Sequence, residues 1–279
     1  MTLRQSQFVI PVPLAIAQSS GLLTRAGLHV ETFRTSGSAE QLSQFRDGDI
    51  DLAVTSIDNL IVWNRSGADV KVIAQVERTT PLTLFARRPF TSVAALDGAN
   101  LAVDASRNGF SLAAIALLAT AGVTPVLVEV GGVKERLDAL LSGEVDATLL
   151  GPPFDAIGLA GGLIALDSVN ARFPDYPGQG LVTSRRAERE KSEELAAYLE
   201  VLREAVALSN TMADAAGTEL LIGHGFPEHA AAAAWEARPR TVETSTVGLR
   251  RIVDIRDELG MLPEDFAGLD ELQVFDSST

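Results

Sequence analysis

The feature that most constrains the fold of this chain is an internal repeat at an offset of 95 residues. Ala26-Gly27-Leu28 is matched by Ala121-Gly122-Val123, and Gly48-Asp49-Ile50-Asp51 is matched by Gly143-Glu144-Val145-Asp146. The match runs without a gap from residue 22 to residue 56 and falls on glycines and apolar positions. A period this long is typical of two similar domains, whereas solenoids are built from shorter repeats. The repeat therefore predicts two lobes of one architecture.

Each repeat alternates apolar runs with helical segments, which predicts parallel strands joined by right-handed crossovers. Gly48 and Gly143 sit where a helix is expected to end, because glycine tolerates the positive φ of a helix C-terminus. The predicted strands are 5–10, 28–33 and 49–55 in the first repeat, and 99–104, 126–130 and 144–150 in the second. The predicted helices are 14–26 and 38–48 in the first repeat, and 110–121 and 133–143 in the second.

The remaining segments complete the two lobes. Further strands are predicted at 70–76, 82–87 and 180–184, and tail helices at 193–210, 212–224, 227–236 and 247–259. We predict an α/β fold of two similar lobes, with parallel or mixed sheets flanked by helices, around a hinged cleft. Residues 1–88 and 185–279 are assigned to lobe one, with the helical tail packed on it. Residues 89–184 are assigned to lobe two, because the polar stretch after Pro89 has the character of a crossing segment.

Charge and composition exclude several classes of function. The formal net charge of −14 disfavours binding to nucleic acid and to anionic lipid surfaces. The chain has no cysteine, so thiolate chemistry is excluded, and we expect neither a cofactor nor a metal. No apolar run approaches the length of a membrane span. The N-terminal residues show no signal-peptide pattern, so we expect a cytoplasmic protein as the sequence is written, or a periplasmic or extracellular one if a signal was removed.

The repeat also locates the ligand site. Ligands of open parallel sheets bind outside the carboxyl ends of the strands, and the repeat places four loops there in two matched pairs. If the lobes face each other, these loops line one cleft. The predicted ligand-binding residues are Pro11, Val12, Pro13, Leu14, Thr55, Ser56, Asn59, Ser106, Arg107, Asn108, Gly109, Phe110, Gly151, Pro152 and Pro153.

The side chains in these loops predict an asymmetric cleft. Pro11–Leu14 offers apolar surface, whereas Ser106–Gly109 offers a hydroxyl, a guanidinium and an amide. Arg107 is the preferred partner for an acidic ligand group, although it could equally be an exposed arginine on a turn.

Other candidates have a structural alternative. Asp58 and Asp155 are favoured as first-turn helix acids, and Glu77 and Arg78 as an ion pair near the hinge. Trp63 and Phe110 could stack on an aromatic ligand, but aromatic residues at helical positions usually belong to the core.

The first repeat resembles a known family. Leu22 to Glu31, Gly37 to Leu42 and Gly48 to Ala53 are similar in order and spacing to the nitrate/sulfonate/taurine-type solute-binding proteins of ABC transporters, a family shared with thiamine-pyrimidine-synthesis proteins. The resemblance continues at Val93 to Gly98, at Gly143 to Ala147 and at Phe173 to Pro177, and covers roughly residues 1–210. It implies a type II periplasmic-binding-protein fold, hinged closure on a small and often anionic organic ligand, and delivery to an ABC permease.

Three classes of function remain open at this point. The first is a solute-binding protein for a small, partly apolar or aromatic organic anion. The second is a cytosolic, cofactor-free lyase or decarboxylase on the same fold, which would have to use Asp58, Glu77, Asp104 or Asp155. The third is a cytosolic sensor whose closure is read by a protein partner.

Overall fold

Two five-stranded sheets, each flanked by helices, form the two lobes of the protein. The computed structural model describes residues 2–107 and 109–273. The elements as far as the crossing into the second lobe are β1 (Thr2–Gln7), α1 (Val12–Ser19), α2 (Leu22–Arg25), β2 (His29–Arg34), α3 (Ser38–Asp47), β3 (Leu52–Ser56), α4 (Asn59–Arg65) and β4 (Val70–Gln75).

The second half of the chain builds the other lobe and then returns. The elements of this lobe are β5 (Thr83–Ala86), β6 (Asn100–Val103), α5 (Phe110–Ala119), β7 (Val126–Glu129), α6 (Val133–Ser142), β8 (Ala147–Leu150), α7 (Phe154–Ala160), β9 (Ile164–Ser168) and α8 (Val169–Arg172). The returning segment comprises β10 (Gln179–Ser184), α9 (Arg185–Glu190), α10 (Ser192–Thr211), α11 (Asp214–Gly223), α12 (Glu228–Glu236) and α13 (Thr246–Glu258). Short 3-10 turns lie at Val93–Leu96 and Leu269–Glu271.

The sheets confirm the repeat. The first has the order β2-β1-β3-β10-β4 and the second the order β7-β6-β8-β5-β9, so three parallel strands occupy equivalent places in each. Helices α3 and α6 begin and end 95 residues apart, at 38–47 and 133–142. Gly48 and Gly143 follow them with φ of 75° and 83°, the left-handed conformation that ends a helix at low cost for glycine.

The predicted domain boundaries are wrong by several residues. β5, assigned to lobe one, pairs antiparallel with β8 and β9 of the second sheet, and β10 pairs antiparallel with β3 and β4 of the first. The chain therefore crosses between the sheets at residues 76–82 and 173–178, which we call the crossing segments. An apolar run predicts a strand but not the distant strand with which it pairs.

Burial explains why the central strands do not alternate between apolar and polar residues. β3 and β8 are buried along their whole length, as expected for parallel strands covered on both faces. The first helix, predicted as 14–26, is divided at Ser20 and Gly21 into α1 and α2.

The tail helices were predicted within about two residues of their observed bounds. Helix α10 packs on α1 and β1 of the first lobe. The last helix contacts both lobes, because α13 packs against α5 of the second lobe and its Arg256 pairs with Asp58 of the first. In the described part of the chain, no helix combines the length and the apolar character that a membrane crossing requires.

Candidate functional site

A cavity of about 130 Å³ lies between the two lobes, at the carboxyl ends of the parallel strands. We call it the cleft. The first lobe and the crossing segments contribute Phe8, Val9, Ser38, Thr55, Ser56, Asn59, Glu77, Thr80, Pro81, Leu82 and Gln179. The second lobe contributes Ala102, Val103, Asp104, Gly109, Phe110, Ser111, Ala114, Val133, Arg136, Leu149, Gly151, Pro152 and Phe154.

Part of the predicted site lies in this cleft. The predicted residues that line it are Thr55, Ser56, Asn59, Gly109, Phe110, Gly151 and Pro152. Asn59 Nδ2 donates a hydrogen bond to Thr55 Oγ1 at 2.9 Å, which holds the two side chains together. Phe110 packs against Tyr176 with ring centroids 6.3 Å apart. Three of the four predicted loop regions thus contribute residues to the cleft.

The first of these loops enters the cleft earlier than predicted. Phe8 and Val9 line it, whereas Pro13 and Leu14 are buried inside α1. Pro11 and Val12 line a smaller neighbouring cavity. Trp63 is a core residue, as the prediction favoured.

The polar loop of the second lobe is also displaced from its predicted place. Ser106, Arg107 and Pro153 do not line the cleft, and Asn108 lies outside the described residues. The side chain of Arg107 is exposed, and its main-chain carbonyl accepts a hydrogen bond from Arg256 Nη2 at 3.1 Å. The preference for Arg107 as the anion partner therefore finds no support in the geometry.

Arg136 is the cationic side chain that the sequence analysis missed. It lies in the first turn of α6, donates from Nε to Thr148 Oγ1 at 3.1 Å and from Nη1 to the Gly131 carbonyl at 2.7 Å. Within the part of the chain that the structure describes, its Nη2 group has no hydrogen-bond partner. Burial lowers the pKa of Arg136, and the charges of Asp104 and Glu135 oppose that effect.

The repeat contained a signal for this residue. Arg136 is equivalent to Gln41, which is fully buried and donates to the Val54 carbonyl at 3.1 Å. A long polar side chain at this place in each lobe therefore reaches from the helix back to the sheet. The comparison of Gln41 with Arg136 could have placed a guanidinium near the strand ends.

Two carboxyl groups also line the cleft. Asp104 Oδ2 accepts a hydrogen bond from Ser38 N at 3.1 Å, which joins the second lobe to the first. Glu77 lies in a crossing segment, and its Oε2 accepts from Gln179 N at 3.1 Å. Burial raises the pKa of Glu77 to about 7. The predicted Glu77–Arg78 ion pair is not present among the described residues, and Arg78 Nη2 instead donates to the Glu236 carbonyl at 3.3 Å.

A buried ion pair lies at the interface between the lobes. Asp58, at the start of α4, accepts from Arg256 Nε at 2.6 Å and from Arg256 Nη2 at 2.9 Å. Asp58 also accepts from Gly109 N of the second lobe at 2.6 Å. Its role is thus an interlobe contact and not the first-turn acid that the sequence favoured, whereas Asp155 does lie in the first turn of α7.

The comparisons with known proteins agree with this architecture. An alkanesulfonate-binding protein from Xanthomonas axonopodis, bound to MOPS, has a TM-score of 0.78 at 20% identity, with 97% of each chain covered. The ligand-binding component of an ABC-type import system from Staphylococcus aureus has a TM-score of 0.81 at 14% identity, covering 98% of this chain and 96% of its own. The periplasmic nitrate-binding protein of Synechocystis has a TM-score of 0.77 at 12% identity, covering 97% and 83%. No curated protein sequence gives a match.

Structural likeness at such low identity establishes the fold, here that of the periplasmic binding proteins. Family membership comes from the sequence itself. The model of the family described as NMT1/THI5 like matches residues 11–214, well over half of the chain. The chain therefore belongs to the NMT1/THI5-like family.

Proposed function

We propose that this chain is the solute-binding component of an ABC-type importer and that it holds a small organic acid in the cleft. The observation that carries the proposal is the cavity between the lobes, which combines apolar walls with Arg136. The family and the structural relatives support it, since each of the three relatives is named for binding or importing a solute and none for a reaction.

The lining indicates which groups the ligand carries. The guanidinium of Arg136, which lines the cleft, suits a carboxylate or sulfonate oxygen, because it donates charge-assisted hydrogen bonds to such groups. Asp104 and Glu77 are acceptors, so the ligand also offers a hydroxyl or amine donor. Phe8, Phe110 and Leu82 supply apolar surface. We therefore expect an organic acid with an apolar or aromatic body and at least one donor group.

The proposal also includes a protein partner and a cellular location. An ABC permease is the protein partner, and the binding protein acts outside the cytoplasmic membrane, as the named location of the nitrate-binding relative suggests. The formal charge of −14 does not conflict with an acidic ligand, because Arg136 supplies a local positive charge inside the cleft.

A thermal-shift screen of carboxylates, sulfonates and phosphonates tests the proposal. A ligand present at 100 times its dissociation constant stabilises the folded state by about 2.7 kcal/mol, which is readily measured. We expect Arg136→Gln to abolish most of the stabilisation by the best acid, because the variant removes the cationic donor from the cleft.

Arg107→Gln is the matched control, because it removes an exposed guanidinium from the same lobe outside the cleft. The acid should stabilise this variant as it does the wild type. A ligand whose binding survives Arg136→Gln but is lost in Arg107→Gln would contradict the proposed anion partner. A screen in which no acid stabilises the wild type would contradict the proposed ligand class.

A further inference from the structure

A second cavity of about 70 Å³ lies beside the cleft. We call it the Arg238 chamber, and its walls include Pro11, Val12, Glu77, Pro152, Phe226 and Arg238. Glu77 and Pro152 line the cleft as well, so the two cavities are direct neighbours. Apart from Arg238, Glu77 and Gln179, the side chains around the chamber are apolar.

Arg238 is buried in the wall of this chamber with its hydrogen-bonding capacity only partly used. Its side chain is 4% exposed, its Nη1 donates to the Trp235 carbonyl at 2.6 Å, and its guanidinium lies 4.0 Å from the centroid of the Trp235 ring. The Nε group is also buried and has no hydrogen-bond partner among the described residues. The hydrogen bond to the Trp235 carbonyl and the stacking on the Trp235 ring therefore account for Nη1 and for the plane of the guanidinium. They leave the Nε donor unused.

The charge of Arg238 is poorly compensated. Its nearest carboxylate oxygen, Asp214 Oδ1, is 3.5 Å from Nη2, is 84% exposed as a side chain, and already accepts from Trp235 Nε1 at 2.9 Å. Burial lowers the pKa of Arg238, as do the neighbouring charges of Arg240 and Arg78, whereas the charge and the hydrogen bond of Asp214 raise it. A buried cation whose carboxylate partner is exposed and shared with another donor is costly.

We propose that the Arg238 chamber binds an oxyanion group, a carboxylate, sulfonate or phosphate, through the guanidinium of Arg238. The planar guanidinium suits such groups, and the apolar walls strengthen the interaction by excluding water. Two sources share this chemistry: a small free anion, and the acidic end of a molecule held in the neighbouring cleft. The inference does not depend on importer function, because it follows from the burial of Arg238 and from its incomplete set of hydrogen-bond and ion-pair partners.

Trp235 gives the test a local signal, because its ring lies against the guanidinium. Sodium acetate, phosphate and methanesulfonate are titrated against chloride at a constant ionic strength of ~0.15 M while tryptophan fluorescence is followed. We expect a saturable change in the wild type, weakened about tenfold or more in Arg238→Gln, which loses charge-assisted hydrogen bonds. Arg25→Gln, an exposed arginine paired with Glu204, should respond as the wild type does.

A second variant protects the test against misfolding. Arg238→Lys keeps the charge but not the planar geometry, so it should retain a weaker response than the wild type. A response to phosphate added without any other ligand identifies a free anion as the source. If free anions give no response but an acid from the cleft screen binds about tenfold more weakly to Arg238→Gln, the source is the acidic end of that molecule.

The inference is overturned if neither the free anions nor any acid of the screen gives a response that depends on Arg238. That outcome leaves the importer proposal intact, provided that an acid still binds and still depends on Arg136. Conversely, an anion response that depends on Arg238 in a protein that binds no acid in the cleft would support the chamber and contradict the importer proposal.

Discussion

The environment of Glu77 is determined by two segments that are far apart in the sequence and adjacent in the fold. Glu77 lies in the first crossing segment, and its carboxyl group borders both the cleft and the Arg238 chamber. The neighbouring segment supplies Gln179 N as a hydrogen-bond donor, and among the described residues Glu77 has no ion-pair partner. The carboxylate is thus desolvated without a compensating cation, which raises its pKa to about 7.

The substitution Glu77→Gln should stabilise the protein above pH 7. Because the folded-state pKa exceeds the ordinary value of 4.5, the folded protein holds more protons than the unfolded chain between about pH 4.5 and pH 7. The free energy of unfolding therefore falls as pH rises through that window and stays lower above it. Glu77→Gln removes this loss, about 1 to 3 kcal/mol above pH 7, and has little effect below pH 4.5.

Urea denaturation at pH 4.5 and pH 8 measures this difference. Glu219→Gln, an exposed glutamate on α11, is the matched control and should change the free energy of unfolding little at either pH. An equal effect of Glu77→Gln at the two pH values would show that Glu77 is not held with a raised pKa.

Some of the residues that line the cleft could be predicted from the sequence, and others could not. Thr55, Ser56, Gly109 and Gly151, which line the cleft, could be predicted because they lie at or after the ends of apolar strands in matching places of the two repeats. Arg136 was missed because its position in the first turn of α6 identifies a helix start and says nothing about the direction of a long side chain.

At the scale of elements, the pairing of α11 with α12 depends on the absence of a side chain at Gly217. A Cβ atom at Gly217 would overlap the indole ring of Trp235, whose Nε1 donates to Asp214 of α11 at 2.9 Å. The close approach of these helices therefore holds Trp235, and with it the stacked Arg238, at the chamber wall.

The substitution Gly217→Ala should destabilise the protein by about 1 to 3 kcal/mol, the usual cost of adding a carbon to a packed interface. Gly223→Ala on the same helix is the control, because a Cβ there meets nothing within 4 Å. It should be neutral or stabilising by up to about 1 kcal/mol, since alanine is the better helix former. Thermal or urea unfolding of the pair compares the two, and equal effects would contradict the packing argument.

At the scale of the whole molecule, the lobes are joined through a residue near the end of the chain. Arg256 of α13 is 2% exposed and pairs with Asp58, which is 1% exposed. Arg256 also donates to the Arg107 carbonyl, and Asp58 accepts from Gly109 N, so both partners bind the second lobe. The tail therefore links the lobes as well as covering the first of them.

Arg256→Met should lower the free energy of unfolding by about 3 to 5 kcal/mol, because it leaves the Asp58 carboxylate buried without its partner. Arg250→Met changes an exposed arginine on the same helix and should cost less than about 0.5 kcal/mol. Adding Asp58→Asn to Arg256→Met should recover part of the loss, since the unpaired charge is then removed. Denaturant unfolding of the four proteins completes the test, and a loss no larger than that of Arg250→Met would show that the pair contributes little.

Local sequence pattern was enough to predict the repeated features: two similar α/β lobes, the order of strands and helices within each repeat, and the tail helices. These follow from apolar periodicity and from glycines at helix ends, which act over short distances along the chain. Three features required the folded structure: β5 belongs to the second sheet and β10 to the first, Arg136 and Glu77 line the cleft, and Arg256 pairs with Asp58. Each of these depends on a partner about 60 to 200 residues away, or on the direction of a side chain, and neither is encoded in local pattern.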